Sequence, residues 1–222
     1  MEGIVRIPTK RVFLGTAALV LFACGQSIAA DLLVNVRDSD GAPVENAVVT
    51  ITLSGNQPAQ KIDRDTLHQV NQKDTAYHPF VSIVPQGAPV AFINSDSWGH
   101  HVYSFSKPKR FDITVPSNTT SDPIVFDKPG VVTIGCNIHD RMLAYIYVNG
   151  DGIPVKSDKT GAARFLDLEP GAYVATVWHP ALKSKRKMPQ IEIMADKEGV
   201  NQKAITVALK RKGKKKRKPR RY

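Results

Sequence analysis

The sequence predicts an all-β protein, and three observations carry that expectation. Apolar residues fall in short runs rich in Val, Ile, Tyr and Phe, which suit a pleated, half-buried surface. Fifteen Gly and fifteen Pro punctuate the 222 residues, many at turn-forming pairs such as Gln86-Gly87, Pro129-Gly130 and Pro170-Gly171. No convincing amphipathic helix of ten or more residues follows the N-terminal segment. Many short strands with regular turn signals argue for β-sandwiches.

The elements follow in order. Residues 32–36 alternate, and a turn cluster covers 38–44. Residues 47–53, AVVTITL, are a β run dense in branched side chains. Residues 54–75 are polar and take no clear assignment. Residues 81–84 and 88–94 read as two strands around the Gln86-Gly87 turn, and 101–105 alternate as another. Residues 123–126 lead to Pro129-Gly130. Residues 131–136 form the next strand, which ends on Cys136, and 143–148 close the set. Farther on, 157–168 and 171–180 read as strand, Pro-Gly turn, strand. Residues 191–193 and 204–209 supply two more candidates.

The two ends have their own character. Lys10 and Arg11 precede an apolar stretch at 12–23, too short for a comfortable membrane span, and the small residues Ser27, Ala29 and Ala30 follow. That is the plan of a secretory signal over residues 1–30, cleaved near Ala30 or Asp31. It implies a periplasmic or secreted bacterial protein. Acylation at Cys24 and an uncleaved anchor are the alternatives, and the bulky Phe22 counts against acylation. At the other end, ten of the twelve residues 210–221 are Lys or Arg, so the net charge of +11 sits mostly there and the rest is nearly neutral. A tail at 210–222 without an apolar face is expected to be disordered and solvated. It suits an acidic partner or an anionic membrane surface. With only Tyr222 available for stacking, it predicts no specific nucleic-acid binding.

Signal cleavage discards Cys24 and leaves Cys136 as the one thiol, without an intramolecular disulfide partner. A lone Cys is ordinarily a small buried core residue. Here Cys136, His139 and Met142 lie within seven residues. The segment 94–102, NSDSWGHHV, can add a second imidazole from His100 or His101. One Cys, two His and a weak Met is the ligand set of a type 1 copper centre, whose work is electron transfer. Zn(II) would accept the same thiolate and imidazoles. Taken alone, Met142 would be a core-filling residue. His68, His78 and His179 lack ligand spacing and read as surface or packing residues. Trp98 flanks the motif as cover or as plain packing. Asp140 either bonds His139, faces a partner or is a solvated turn residue.

Phe126-Asp127-Lys128-Pro129-Gly130, then Cys136-x-x-His139-x-x-Met142, then Ala144-Tyr145-Ile146-x-Val148 resembles the closing half of a cupredoxin. The ligand spacing is that of its amicyanin-like members. Val84-Pro85-Gln86-Gly87, Val90-x-Phe92-x-Asn94 and His100-x-Val102 resemble the opening half. The resemblance covers roughly residues 65–148. It implies a Greek-key sandwich with one type 1 copper ion held by His100, Cys136, His139 and axial Met142. It selects His100 by its spacing from Asn94 and leaves His101 on the opposite face of the strand. It also implies that Asn94 braces the Cys136 loop and that backbone N–H groups bond the sulfur. The combination of residues 100–106 with 135–140 is similar to exported bacterial chains labelled methylamine utilisation proteins, a label that fixes no pathway.

Residues 34–49 and 157–173 resemble two parts of a carboxypeptidase-regulatory-like, Ig-like module. The expectation is therefore a discontinuous Ig-like sandwich, 31–58 with 149–209, and a cupredoxin domain, 59–148, inserted at a loop. No carboxylate pair, Ser-His-Asp set or glycine-rich phosphate loop is evident, so the sequence predicts a carrier rather than an enzyme. The leading expectation is single-electron transfer between periplasmic redox partners. The rivals are a copper delivery module without a redox circuit and a structural β-protein with a vestigial site.

Overall fold

The alternation at residues 32–36 extends in both directions. The computed structural model describes residues 29–55, 63–139, 141–184, 187–196 and 200–210. In it Ala30, Leu32, Val34 and Val36 are buried, while Asp31, Leu33, Asn35 and Arg37 are partly open. This strand is β1 (Ala30–Asp38). It is followed by β2 (Val48–Leu53), β3 (His68–Lys73), β4 (Ala76–His78), β5 (Val81–Pro85), β6 (Pro89–Asn94), β7 (His100–Phe105) and β8 (Arg110–Val115). Then come β9 (Ile124–Val125), β10 (Gly130–Cys136), β11 (Leu143–Asn149) and β12 (Ile153–Lys156). The last are β13 (Ala162–Leu168), β14 (Gly171–Trp178), β15 (Gln190–Ala195) and β16 (Val200–Val207). There is no helix among the described residues, and the fold is all-β as expected. Residues 1–28 of the expected signal (1–30) and residues 211–222 of the expected tail (210–222) lie outside them, and Ala30, at the end of that expected signal, is the first residue of β1.

The strands build two cores. Sheets β13-β1-β16 and β12-β2-β14-β15 enclose Leu32, Val34, Ile51, Phe165, Val177 and Ile205. Sheets β5-β11-β10-β7-β8 and β4-β3-β6-β9 enclose Phe92, Val102, Phe126, Ile134 and Ile146. Residues 30–53 and 153–207 thus share one core, and residues 68–149 between them make the other. A third cluster joins the two. Trp178 and Val48 meet Val81 there, with Tyr145 and Tyr147 packed against them. The Trp178 ring centre lies 5.7 Å from each tyrosine ring centre. Polar contacts also cross the junction. The hydroxyls of Thr50 and Tyr147 are 3.2 Å apart, and Lys156 Nζ donates to the Val81 carbonyl at 2.9 Å.

Two of the expected turns are corners between sheets. β5 pairs with β11, whereas β6 pairs with β3 in the facing sheet. The Gln86-Gly87 turn therefore carries the chain over the core. The Pro170-Gly171 turn does the same, since β13 pairs with β1 and β14 with β2 and β15. Passing from sheet to sheet lets consecutive apolar faces cover each other. Four strands were not legible as such. β8 is an edge strand whose Arg110, Asp112 and Thr114 remain exposed. β12 has four residues, all half-buried. β3 and β4 fall in and after the polar 54–75 stretch, where Val70 and Gln72 are nonetheless buried.

Candidate metal centre

Strand alternation delivers the first imidazole. Along β7 the side chains of His100, Val102 and Ser104 are buried, and those of His101 and Tyr103 are half-exposed. His100 is fully enclosed, while His101 turns outward to Asp112 on β8. The neighbouring β10 delivers the sulfur, because Cys136 pairs with Val102 and is buried. Gly135 precedes it for a steric reason. A Cβ there would come within 3.0 Å of the Tyr103 ring on the adjacent strand.

The β10–β11 connection supplies the second imidazole. It is pinned at its base, where Cys136 N–H donates to the Met142 carbonyl at 3.3 Å. Met142 N–H donates to the His139 carbonyl at 3.0 Å, and Asn137 N–H to the His101 carbonyl at 3.1 Å. His139 is half-buried, and Met142 is buried in the sandwich core.

The three donors converge. Cys136 Sγ lies 3.7 Å from His100 Nδ1 and 3.8 Å from His139 Nδ1. The three ligand atoms all lie within 4.8 Å of one another. Bond lengths of about 2.3 Å to sulfur and 2.0–2.1 Å to nitrogen convert those two separations into N–metal–S angles of about 120°. The donor set therefore fits one ion, with thiolate and imidazole chemistry suited to copper or zinc.

The surroundings differ from expectation in two places. Asn94 does not brace the Cys136 loop. Its Nδ2 donates towards the carbonyls of Trp98, Val115 and Pro116 at 2.8, 3.0 and 3.0 Å. Its Oδ1 accepts Asp96 N–H at 2.9 Å. Asn94 thus sets the 95–99 loop that leads into His100. Among the described residues, no backbone N–H donor of the kind expected reaches the sulfur, and the hydrogen-bonding-range partners of Sγ are the two imidazoles. Asp140 lies outside the described residues.

Two residues here carried no signal in the sequence. Buried Tyr77 donates its hydroxyl to the Gly135 carbonyl at 3.0 Å, next to Cys136. Burial, then the nearby Cys136 and Tyr103, pushes that hydroxyl well above its ordinary value. Asp96 is buried, and its Oδ2 lies 2.8 Å from His100 Nε2. Burial alone would raise the Asp96 carboxyl. The bond from His100 and those from the N–H groups of Thr75 and Asp74 outweigh it and hold the carboxyl below its usual value.

Exposed side chains flank the ligand loop, apolar ones together with Asn137 and Arg141. Trp98, Ile138 and Leu143 are 47%, 61% and 44% exposed. The rings of Trp98 and His100 are centred 6.5 and 5.2 Å from that of His139. Of the remaining histidines, His68 and His179 are half-buried and His78 is exposed. None of them joins a metal-binding group among the described residues.

No family model matches the chain, and no curated protein matches it. Solved structures do. A copper-containing nitrite reductase (NirK) from Thermus scotoductus SA-01 is 24% identical over 38% of this chain, with a TM-score of 0.36. The match spans 22% of the reductase. A purple cupredoxin from Nitrosopumilus maritimus is 21% identical over 37% of this chain and 99% of its own, with a TM-score of 0.33. Amicyanin from Paracoccus versutus is 17% identical over 45% of this chain and 98% of its own, with a TM-score of 0.35. At those identities and scores, the site rests on this chain's own strands and side chains.

Proposed function

We propose that this chain is a copper-binding electron carrier of cupredoxin type. One observation carries the reading. Two Nδ1 atoms face a single buried sulfur at 3.7 and 3.8 Å, the spacing of ligands that share an ion. His100, Cys136 and His139 would hold the metal, with Met142 as the weak fourth ligand. Bound copper supplies a one-electron couple at these ligands.

The chain's own residues do the rest. Neighbouring strands hold His100 and Cys136 in place, so the ligands need little rearrangement when the charge changes. Val102, Ile134 and Phe126 line the core beneath and keep water from the sulfur. The exposed Trp98 beside the His139 ring, with exposed Ile138 next to it in sequence, gives a redox partner apolar surface close to a ligand. One electron enters from a donor protein and one leaves to an acceptor. The proposal includes a periplasmic setting, a carrier rather than an enzyme, and an Ig-like outer sandwich around the copper domain. It also includes an acidic or membrane contact for the basic tail.

Copper added to the full chain is expected to give an intense visible thiolate-to-Cu(II) band and a type 1 paramagnetic resonance spectrum. Cys136→Ser should abolish both. A copper-loaded protein without the band would overturn the reading. Tight Cu(I) binding with ready transfer to an apo-acceptor and no reversible potential would select delivery instead.

A further inference from the structure

Asp96 is the buried charge that the ligand set does not use. It sits in the loop between β6 and β7, and among the described residues three groups lie within hydrogen-bonding distance of its carboxylate. Asp74 N–H reaches Oδ1 at 2.7 Å and Thr75 N–H reaches Oδ2 at 3.2 Å. His100 Nε2 lies 2.8 Å from Oδ2. The His100 ring has its other nitrogen, Nδ1, towards Cys136 Sγ. With Nδ1 given to a metal, the ring proton resides on Nε2 and is donated to Asp96. Three donors around two oxygens call for an acceptor-only carboxylate, since a protonated one would set its own O–H against a donor.

The two backbone donors are aimed by an uncommon conformation. Asp74 and Thr75 form the β3–β4 turn with φ of 53° and 56°. A β-branched residue rarely adopts that region, and consecutive N–H groups in such turns make an anion-binding concavity. A line of contacts therefore runs from an exposed hairpin turn through Asp96 to His100 and on to the sulfur.

We propose that Asp96 is a positioning residue that fixes His100 and sets the reduction potential of the centre. This rests on the copper reading. The carboxylate places a second fixed negative charge one imidazole away from the metal, beyond that of the Cys136 thiolate. A 2+ ion gains more from that charge than a 1+ ion, so Asp96 favours the oxidised state and lowers the potential. Its removal raises the potential.

The test is a potentiometric titration of the copper-loaded full chain, followed at the visible band, for wild type and Asp96→Asn. At a fixed potential the Cu(II):Cu(I) ratio is expected to fall at least tenfold in the variant, an upward shift of 59 mV for one electron, with the band retained. A retained band and a ratio within twofold of wild type would overturn the proposal and leave Asp96 as a structural clasp of the turn. A wild type without the band would overturn the copper reading, and this proposal with it. A second measurement needs no variant. Nitrogen NMR of the Cu(I)-loaded wild type should show a slowly exchanging His100 Nε2–H with a strong carboxylate-bound shift. A rapidly exchanging proton there would also overturn the proposal.

Discussion

Replacing Asn94 with Ala is expected to cost about 3 kcal/mol of stability in the metal-free chain. The magnitude comes from its bonds. Three carbonyls, of Trp98, Val115 and Pro116, lie within 3.0 Å of Nδ2, but an amide carries only two N–H protons. With the bond from Asp96 N–H to Oδ1, about three full hydrogen bonds are lost, each worth about 1 kcal/mol net. Water can reach the part-buried Trp98 and Pro116 contacts and offset some of this. It cannot readily reach the buried contacts with Val115 and Asp96, where an orphaned group costs about 1–3 kcal/mol. Asn94→Asp is expected to be worse than Ala, because it turns an acceptor towards three carbonyls. Guanidinium denaturation monitored by circular dichroism reads the ranking wild type, Ala, Asp. Because Asn94 sets the loop into His100, metal affinity should fall in parallel, about 10- to 100-fold. A loss below about 1 kcal/mol for Ala, or an Asp variant as stable as Ala, would refute the reasoning.

Trp178→Ala removes the indole that fills the junction cluster with Val48 and Val81 and is expected to cost about 3–5 kcal/mol. Calorimetry should resolve two unfolding transitions where the wild type gives one, and a single transition near the wild-type temperature would contradict the role of that cluster. Stability should also fall on acidification from pH 7 to 5. Burial lowers His179 below its ordinary value, and its Nδ1 accepts Ala181 N–H at 3.2 Å. The folded ring therefore resists a proton that the unfolded chain takes up near pH 6.5. The contribution is complete above that pH and is lost as pH drops through the folded value. His179→Gln should flatten the slope in denaturation measured across that range, and an unchanged slope would assign it elsewhere.

The sequence made the three converging donors legible because Cys136 and His139 come at a short spacing and because the spacing from Asn94 in the cupredoxin-like pattern singles out His100. It made most strands of the cores legible wherever branched residues clustered, as in β2, β10 and β11. It failed where burial did not follow composition. β8 keeps a polar outer row because it is an edge, and β3 buries Gln72 in an otherwise polar run. Asp96 gave no signal for a related reason. It sits among Ser95 and Ser97 like any solvated loop acid, and its donors are backbone N–H groups about twenty residues upstream. Asn94 was found but misassigned, since spacing gives a residue's place along the chain and not the carbonyls its amide meets.

The pairing of β2 with β12 has a consequence for the order of assembly. Ile51 lies opposite Ile153, so this ladder closes a loop of about 100 residues, at an entropic cost near 4 kcal/mol. If β3–β11 have already formed their own sandwich, most of that loop is rigid. The free chain shrinks to roughly seventeen residues, and the cost falls to about 2.5 kcal/mol. That difference is roughly a fifteenfold change in closure rate. During synthesis β2 emerges long before its partners β12 and β14, with four of its six residues destined for burial. Until the later strands arrive, that edge stays unpaired and open to wrong pairing.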